Sequence, residues 1–292
     1  MNLKSLIPLV FNVSLFLIVF TLGLQATFAD ATFLFRRPRL LIRGFLSMSV
    51  VMPLVTLVLV MTLHLNPAVK IALVALSVSP IPPFFPKKAL KAGGKEDYTI
   101  GLLVATVVLA IVTIPVTMEI FQRVSGVPLS VSPLSVATIV FKSALTPLLA
   151  GIVVRAVASS FADRVVKPIG IFAGVLLILV LIPVLFVSIR NILPLIGDGS
   201  LLSLAAFALI GYFVGYLFGG PDPEHRSVLS LATASRHPAL AVAIAHANFP
   251  DQKLVGPLVV IYLIVSGVVT TLASKFMKKA ETPAAVEGPT AS

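Results

Sequence analysis

Residues 231–249 read Leu-Ala-Thr-Ala-Ser-Arg-His-Pro-Ala-Leu-Ala-Val-Ala-Ile-Ala-His-Ala-Asn-Phe, and the tripeptide Arg236-His237-Pro238 within them decides the fold. Proline has no N–H and its ring clashes with the preceding helical turn, so no regular helix passes through position 238. Arg236 lies about twelve residues from either end of the apolar stretch 225–249, too deep for its guanidinium to reach an aqueous boundary. An arginine at the centre of a membrane helix costs ~2.5–3.5 kcal/mol and therefore needs a cavity or a partner. The stretch predicts a membrane helix broken near its middle, with Pro238 as the first residue of a second half-helix. Unpaired N–H groups and the positive dipole end at such a start favour an anion, with Arg236, His237, Thr233 and Ser235 around the same point.

The rest of the chain fits the same medium. Hydrophobic residues make up 58% and charged residues 11% of the sequence, and its mean hydropathy is +1.08; soluble domains carry roughly a quarter charged residues. Apolar runs fall at 6–28, 39–63, 67–92, 97–122, 133–158, 166–189, 200–219, 225–249 and 253–275, each matching a hydrocarbon core roughly 30 Å thick. They predict an all-α integral membrane protein of about nine transmembrane helices, since lipid cannot satisfy an open sheet and barrel strands are half as long. The first run, between Lys4 and Ala29-Asp30-Ala31, exceeds the apolar core of a signal peptide and counts as a span. Residues 1–279 are read as one transmembrane domain. Ala280–Ser292, rich in Ala, Pro, Glu and Thr, is read as a disordered cytoplasmic tail.

A formal net charge of +11 would suggest nucleic acid in a soluble protein, but its distribution is a topology signal. With the N-terminus outside, Arg36, Arg37, Arg39, Arg43, Lys87, Lys88, Lys91, Lys95, Arg155, Arg164, Lys167, Arg226, Lys275, Lys278 and Lys279 are cytoplasmic. Lys4, Lys70, Arg123, Arg190 and Lys253 face outward, and Lys142 and Arg236 remain within spans. This predicts a multi-pass protein of the inner (plasma) membrane with a cytoplasmic C-terminus, and no nucleic-acid partner.

The third and eighth runs are both interrupted, the third by Pro80, Pro82, Pro83 and Pro86. Five spans apart, they run in opposite directions, as in an inverted-topology repeat with broken helices at the bilayer midplane. Lys87 and Lys88, after Pro86, are candidates to project into the same cavity, with snorkelling to the cytoplasm as the alternative. Lys142 is a weaker candidate. His237 reads as a polar substrate contact or a structural hydrogen bond rather than a proton carrier, because Arg236 disfavours its protonated form. All eleven carboxylates, Asp198 and Glu287 included, fall in loops, tails or span ends, leaving no acid at mid-membrane to relay protons or neutralise bound sodium. There is no cysteine for a disulfide, thiolate metal site or nucleophile. No His-Glu-x-x-His, Gly-x-Ser-x-Gly or phosphate-cradling glycine loop suggests an enzyme, metal or cofactor.

Several segments resemble the bile acid:sodium symporter family over nearly the whole chain: Thr21-Leu22-Gly23-Leu24 followed by Phe35-Arg36-Arg37-Pro38-Arg39, then Val51-Met52-Pro53-Leu54, Gly211-Tyr212-Phe213-Val214-Gly215, and Leu231 to Phe249. The resemblance implies two crossover helices in a core domain, a smaller panel domain, and alternating access between them. Nine helices would leave the first half one short of the ten-helix members. The family's Glu-x-Gly-x-Gln-Asn in the second crossover reads Ala232-Thr233-Ala234-Ser235-Arg236-His237 here, so the acidic sodium ligand becomes Ala232 and the glutamine becomes Arg236. Its Ser-Asn pair falls among Phe84, Phe85, Pro86 and Lys87, and its threonine ligand falls near Leu103.

The expected function is secondary transport of a small organic anion without ordinary sodium coupling, Arg236 standing where sodium would sit. Moving one uncompensated negative charge inward against 100 mV costs roughly 2.3 kcal/mol, which favours export or exchange for a counter-anion. A sodium- or proton-coupled symporter, with the ion held by Ser79, Thr233 and Ser235, is the main alternative. A non-transporting sensor, locked by Arg236 in a salt bridge to a loop acid, is the other.

Overall fold

Proline and the residue before it set where several helices begin. In the computed structural model, which describes residues 3–125, 133–192 and 199–281, the helices are α1 (Leu3–Gly23), α2 (Phe28–Ala31), α3 (Pro38–Phe45), α4 (Met52–Thr62), α5 (Pro67–Val78), α6 (Phe85–Lys91), α7 (Glu96–Ser125), α8 (Pro133–Val140), α9 (Thr146–Val157), α10 (Ser159–Ile192), α11 (Ser200–Phe218), α12 (Pro223–Thr233), α13 (Pro238–Asn248) and α14 (Val255–Glu281). Asn66 accepts from the Ala68 N–H ahead of α5, Asp222 from the Glu224 and His225 N–H groups ahead of α12, and His237 from the Leu240 N–H ahead of α13. In each case the next residue is a proline, whose missing N–H would have been unpaired anyway. π-Helical turns at Leu46–Val51 and Phe141–Leu145 join α3 to α4 and α8 to α9.

The described residues are helical with no strand. Among the described residues, six helical stretches are long and apolar enough to cross a membrane: Pro38–Thr62, Glu96–Val124, Ala137–Val157, Ser200–Phe218, Pro223–Asn248 and Val255–Met277. The segments 9–23 and 67–78 are shorter apolar helices. Boundaries depart from the sequence reading in three places. The first helix ends at Gly23 rather than 28, because Thr27 and Asp30 form a reciprocal capping box that opens α2. The sixth begins at Ser159, directly after α9, rather than at 166. The last continues to Glu281 and takes in the first two residues of the expected tail, while 282–292, Asp198 and Glu287 lie outside the described residues.

Two groups of helices emerge from the packing. In one, α1 packs on α9 and α10; a Cβ at Gly151 would lie 2.3 Å from the Phe20 carbonyl, so the α1–α9 approach is close enough to require glycine. The other holds the main core, in which α5 and α13 pack together and against α14, and α11 lies along α12. Gly211, Gly215 and Gly219 line the α11–α12 contact at four-residue spacing, the small-residue pattern by which membrane helices bring their backbones together. A Cβ at Gly215 would meet the Leu229 carbonyl at 2.3 Å. Gly215→Ala therefore forces α12 away and should cost about 1–3 kcal/mol, read as a lowered melting temperature in detergent. Gly256→Ala, where an added Cβ meets nothing within 4 Å, should leave it unchanged.

The turn before α12 carries a second stability element. Partial burial pushes the Asp222 carboxyl up, but hydrogen bonds from Lys95 and from the His225 and Glu224 N–H groups outweigh it and hold the carboxyl below its usual value. Its stabilising contribution should be complete above about pH 4 and disappear as the pH falls through the lower folded-state value. Asp222→Ala should cost about 1 kcal/mol at neutral pH, with the deficit vanishing in melts at low pH.

Candidate functional site at the crossing of two broken helices

The first break spans residues 79–84, between α5 and α6. Ser79 turns extended, and Pro80, Pro82 and Pro83 remove three successive opportunities to continue the helical ladder. The Ser79 carbonyl would look four residues on for its donor and finds Pro83. The second break spans 234–237, between α12 and α13. The two breaks bond to each other: the His237 N–H donates to the Pro80 carbonyl at 2.8 Å.

Arg236 completes the junction. It is 2% exposed, and its Nη1 donates to the Ser79 carbonyl at 3.1 Å and the Met48 carbonyl at 3.4 Å, with Nη2 also 3.4 Å from Met48. Met48 lies in the π-helical turn, where a carbonyl looks five residues on for a donor; that residue is Pro53, which has none. Two orphaned carbonyls thus receive one guanidinium. Its Nε, equally buried, has no partner among the described residues. The Phe207 ring lies 6.0 Å from the guanidinium carbon, at the outer limit of a cation–π contact.

The remaining groups close the junction. Tyr262 of α14 donates to the Ala234 carbonyl at 2.7 Å, and Thr233 Oγ1 lies 3.3 Å from Ser47 Oγ. His237 Nδ1 accepts from the Leu240 N–H at 3.3 Å, so its neutral ring carries the proton on Nε2, 3.4 Å from Ser143 Oγ. Ser235 and Pro238 are buried at the same junction.

The geometry places the expected site residues as follows. At the start of α13 the His237 ring accepts from the Leu240 N–H, and the Nη atoms of Arg236 face carbonyl oxygens. Lys87 is exposed. Lys88 reaches inward, but to Thr270 of α14 at 2.7 Å, and Lys142 is exposed on the π-helical turn between α8 and α9. Lys87 and Lys88, adjacent on the short helix α6, follow different faces of it, and neither direction is set by the nearby break. Phe85 is fully buried in the main core. Among the described residues Arg236 makes no ion pair, and no group of three or more His, Asp or Glu side chains could hold a metal. Sequence reasoning missed Met48, Ser143, Phe207 and Tyr262. A signal existed for Met48, since Pro53 stands five residues beyond it; a tyrosine in an otherwise apolar span was a signal for Tyr262.

Comparison with known proteins bears on this junction. The probable chloroplastic sodium/metabolite cotransporter BASS2 of Oryza sativa subsp. japonica is 25% identical over 252 residues, 85% of this chain but 59% of that protein, so the chain spans less than two thirds of its length. The uncharacterized sodium-dependent transporter YocS of Bacillus subtilis is 23% identical over 245 residues, 82% of this chain and 74% of that protein. The model of the Sodium Bile acid symporter family matches residues 12–194, a stretch that takes in the first break and stops before Arg236. With more than half its length matched, and with the broken helix that the match encloses, the chain belongs to the sodium bile acid symporter family.

Proposed function

We propose that this protein is a secondary transporter of a small organic anion that works by alternating access, with Arg236 as a tethered positive charge in place of a coupling cation. The observation that carries this reading is the pair of carbonyls, Ser79 and Met48, bonded to one guanidinium where two broken helices meet. Backbone carbonyls at such a break are the ligands a hard cation would otherwise use. A guanidinium satisfies them with N–H donors and brings its own charge. The Nε–H, buried and unpartnered among the described residues, is the donor left for a substrate carboxylate, with Ser235, Thr233, His237 and Pro238 around it. Lys88, whose ammonium is held by a single hydroxyl, is a second cation for a larger anion.

On this reading α1, α5 with α6, and α10 also cross the bilayer, giving nine crossings in an inverted repeat. The group around α1, α9 and α10 forms the panel that rocks against the core. The His237–Ser143 contact bridges the two. The richly basic end faces the cytoplasm of the plasma membrane, the N-terminus lies outside, and the electrical cost of inward anion movement favours export or exchange.

The names of the relatives favour a second reading, sodium-coupled symport. A locked sensor has less support, because the salt bridge it requires at Arg236 is absent among the described residues. Purified protein should gain thermal stability from an organic anion equally with and without sodium, and Arg236→Ala should abolish the gain. The double variant Ala232→Glu, Arg236→Gln restores the Glu and Gln of the family pattern and should become sodium-stabilised. Sodium-dependent stabilisation of the wild type that survives Arg236→Ala would return the protein to ordinary symport.

A further inference from the structure

At the end of the bundle where α3 begins and α11 turns into α12, a cavity of about 570 Å³ is lined by Arg37, Arg39, Arg43, Asp222 and His225. None of the three arginines has a carboxylate partner among the described residues. Arg37 stacks its guanidinium 4.3 Å over the Phe33 ring, which orients the side chain and leaves its N–H edges free. Arg43 lies against the turn itself: a Cβ at Gly220, where φ is +85°, would fall 2.1 Å from its Nη1, so the guanidinium sits where only glycine leaves room. It is half-buried and makes no hydrogen bond among the described residues.

The carboxylate in this cavity does not neutralise the arginines. Asp222 is held by Lys95 at 3.1 Å, by His225 Nδ1 at 3.4 Å and by the Glu224 and His225 N–H groups at 2.9 and 3.3 Å. The His225 ring lies tilted against Tyr98 with ring centroids 4.5 Å apart, and among the described residues neither its buried Nε2 nor the buried Tyr98 hydroxyl has a partner. Three uncommitted guanidinium groups around a cavity match an oxyanion with several acceptor oxygens, and planar guanidinium forks suit phosphate in particular. The surroundings point to its source. Just beyond the arginines, Ile42 and Leu46 on one side and Phe213 and Leu217 on the other are exposed apolar side chains, on helices that pack against each other. Such a strip accommodates acyl chains directly below a headgroup.

We propose that this pocket binds the phosphate of an anionic phospholipid, with its acyl chains lying along the Ile42–Leu46 and Phe213–Leu217 strip. Basic pockets between membrane helices on the more basic face are the places where such headgroups dock. The site is separate from the helix crossing, and its test reads lipid binding rather than transport, so it stands or falls independently of the proposed function.

The test is native mass spectrometry of the delipidated protein in detergent with phosphatidylglycerol and phosphatidylcholine of identical acyl chains. Phosphatidylglycerol should be retained preferentially, with affinity falling about fivefold in Arg39→Ala and again in Arg43→Ala. Arg39 is exposed, so its replacement leaves folding intact. Arg123→Ala, at the far end of α7 and paired with Glu119, should bind as the wild type does. Equal retention of the two lipids, or wild-type affinity in the Arg39 variant, overturns the proposal. Displacement of the lipid by glycerol phosphate at equal concentration overturns the lipid as source and assigns the pocket to a soluble phosphorylated compound.

Discussion

Every feature of the junction follows from one constraint: backbone groups released by a helix break inside a membrane have no water to turn to. An unpaired buried polar group costs about 1–3 kcal/mol even in favourable settings, so a break in each of two helices is sustainable only where other groups supply the missing partners. Here the breaks partner each other. One N–H of the second break reaches one carbonyl of the first, and the guanidinium serves the carbonyls that proline has left without donors. The break positions, the π-helical turn before Pro53 and the buried arginine therefore form a single arrangement.

The same bonds tie the junction to its surroundings. Tyr262 fixes the second break to α14, Thr233 meets Ser47 within the π-helical turn, and the His237 ring extends one contact to Ser143 on the neighbouring group of helices. The first two contacts are within the main core, whereas the last is a single hydrogen bond 3.4 Å long. A displacement of the α1–α9–α10 group would thus break little at the junction, while separating α5 from α13 would expose several buried polar groups at once. The two groups of helices differ in how many polar groups each contact satisfies.

How much of this was legible in the sequence depends on the kind of signal. The medium, the helical class and both breaks follow from apolar run length and from proline clusters, which act locally and leave no alternative partner structure. The depth of Arg236 was equally readable, because a lone guanidinium within an apolar run of 25 residues has few physical explanations. What it touches was not. Charge suggested an anion, but the nearest acceptors are carbonyls orphaned by Pro53 and Pro83, residues 183 and 153 positions away in the chain. Proline was read as a helix breaker and not as the maker of an acceptor elsewhere. Lys87 and Lys88 show the same limit, since adjacent positions on a short helix point in different directions and only packing decides which is buried.

The covalent attachment of Arg236 has a consequence of its own. A diffusible cation stabilises a site by an amount that grows with the logarithm of its concentration, and the site loosens when the ion is diluted away. A charge borne on the chain has fixed stoichiometry and no dissociation constant. The guanidinium therefore meets the Ser79 and Met48 carbonyls with no diffusible ligand between them. On the proposed reading, independence from the composition of the medium is thus written into the backbone junction itself, at the cost of any means of sensing that composition there.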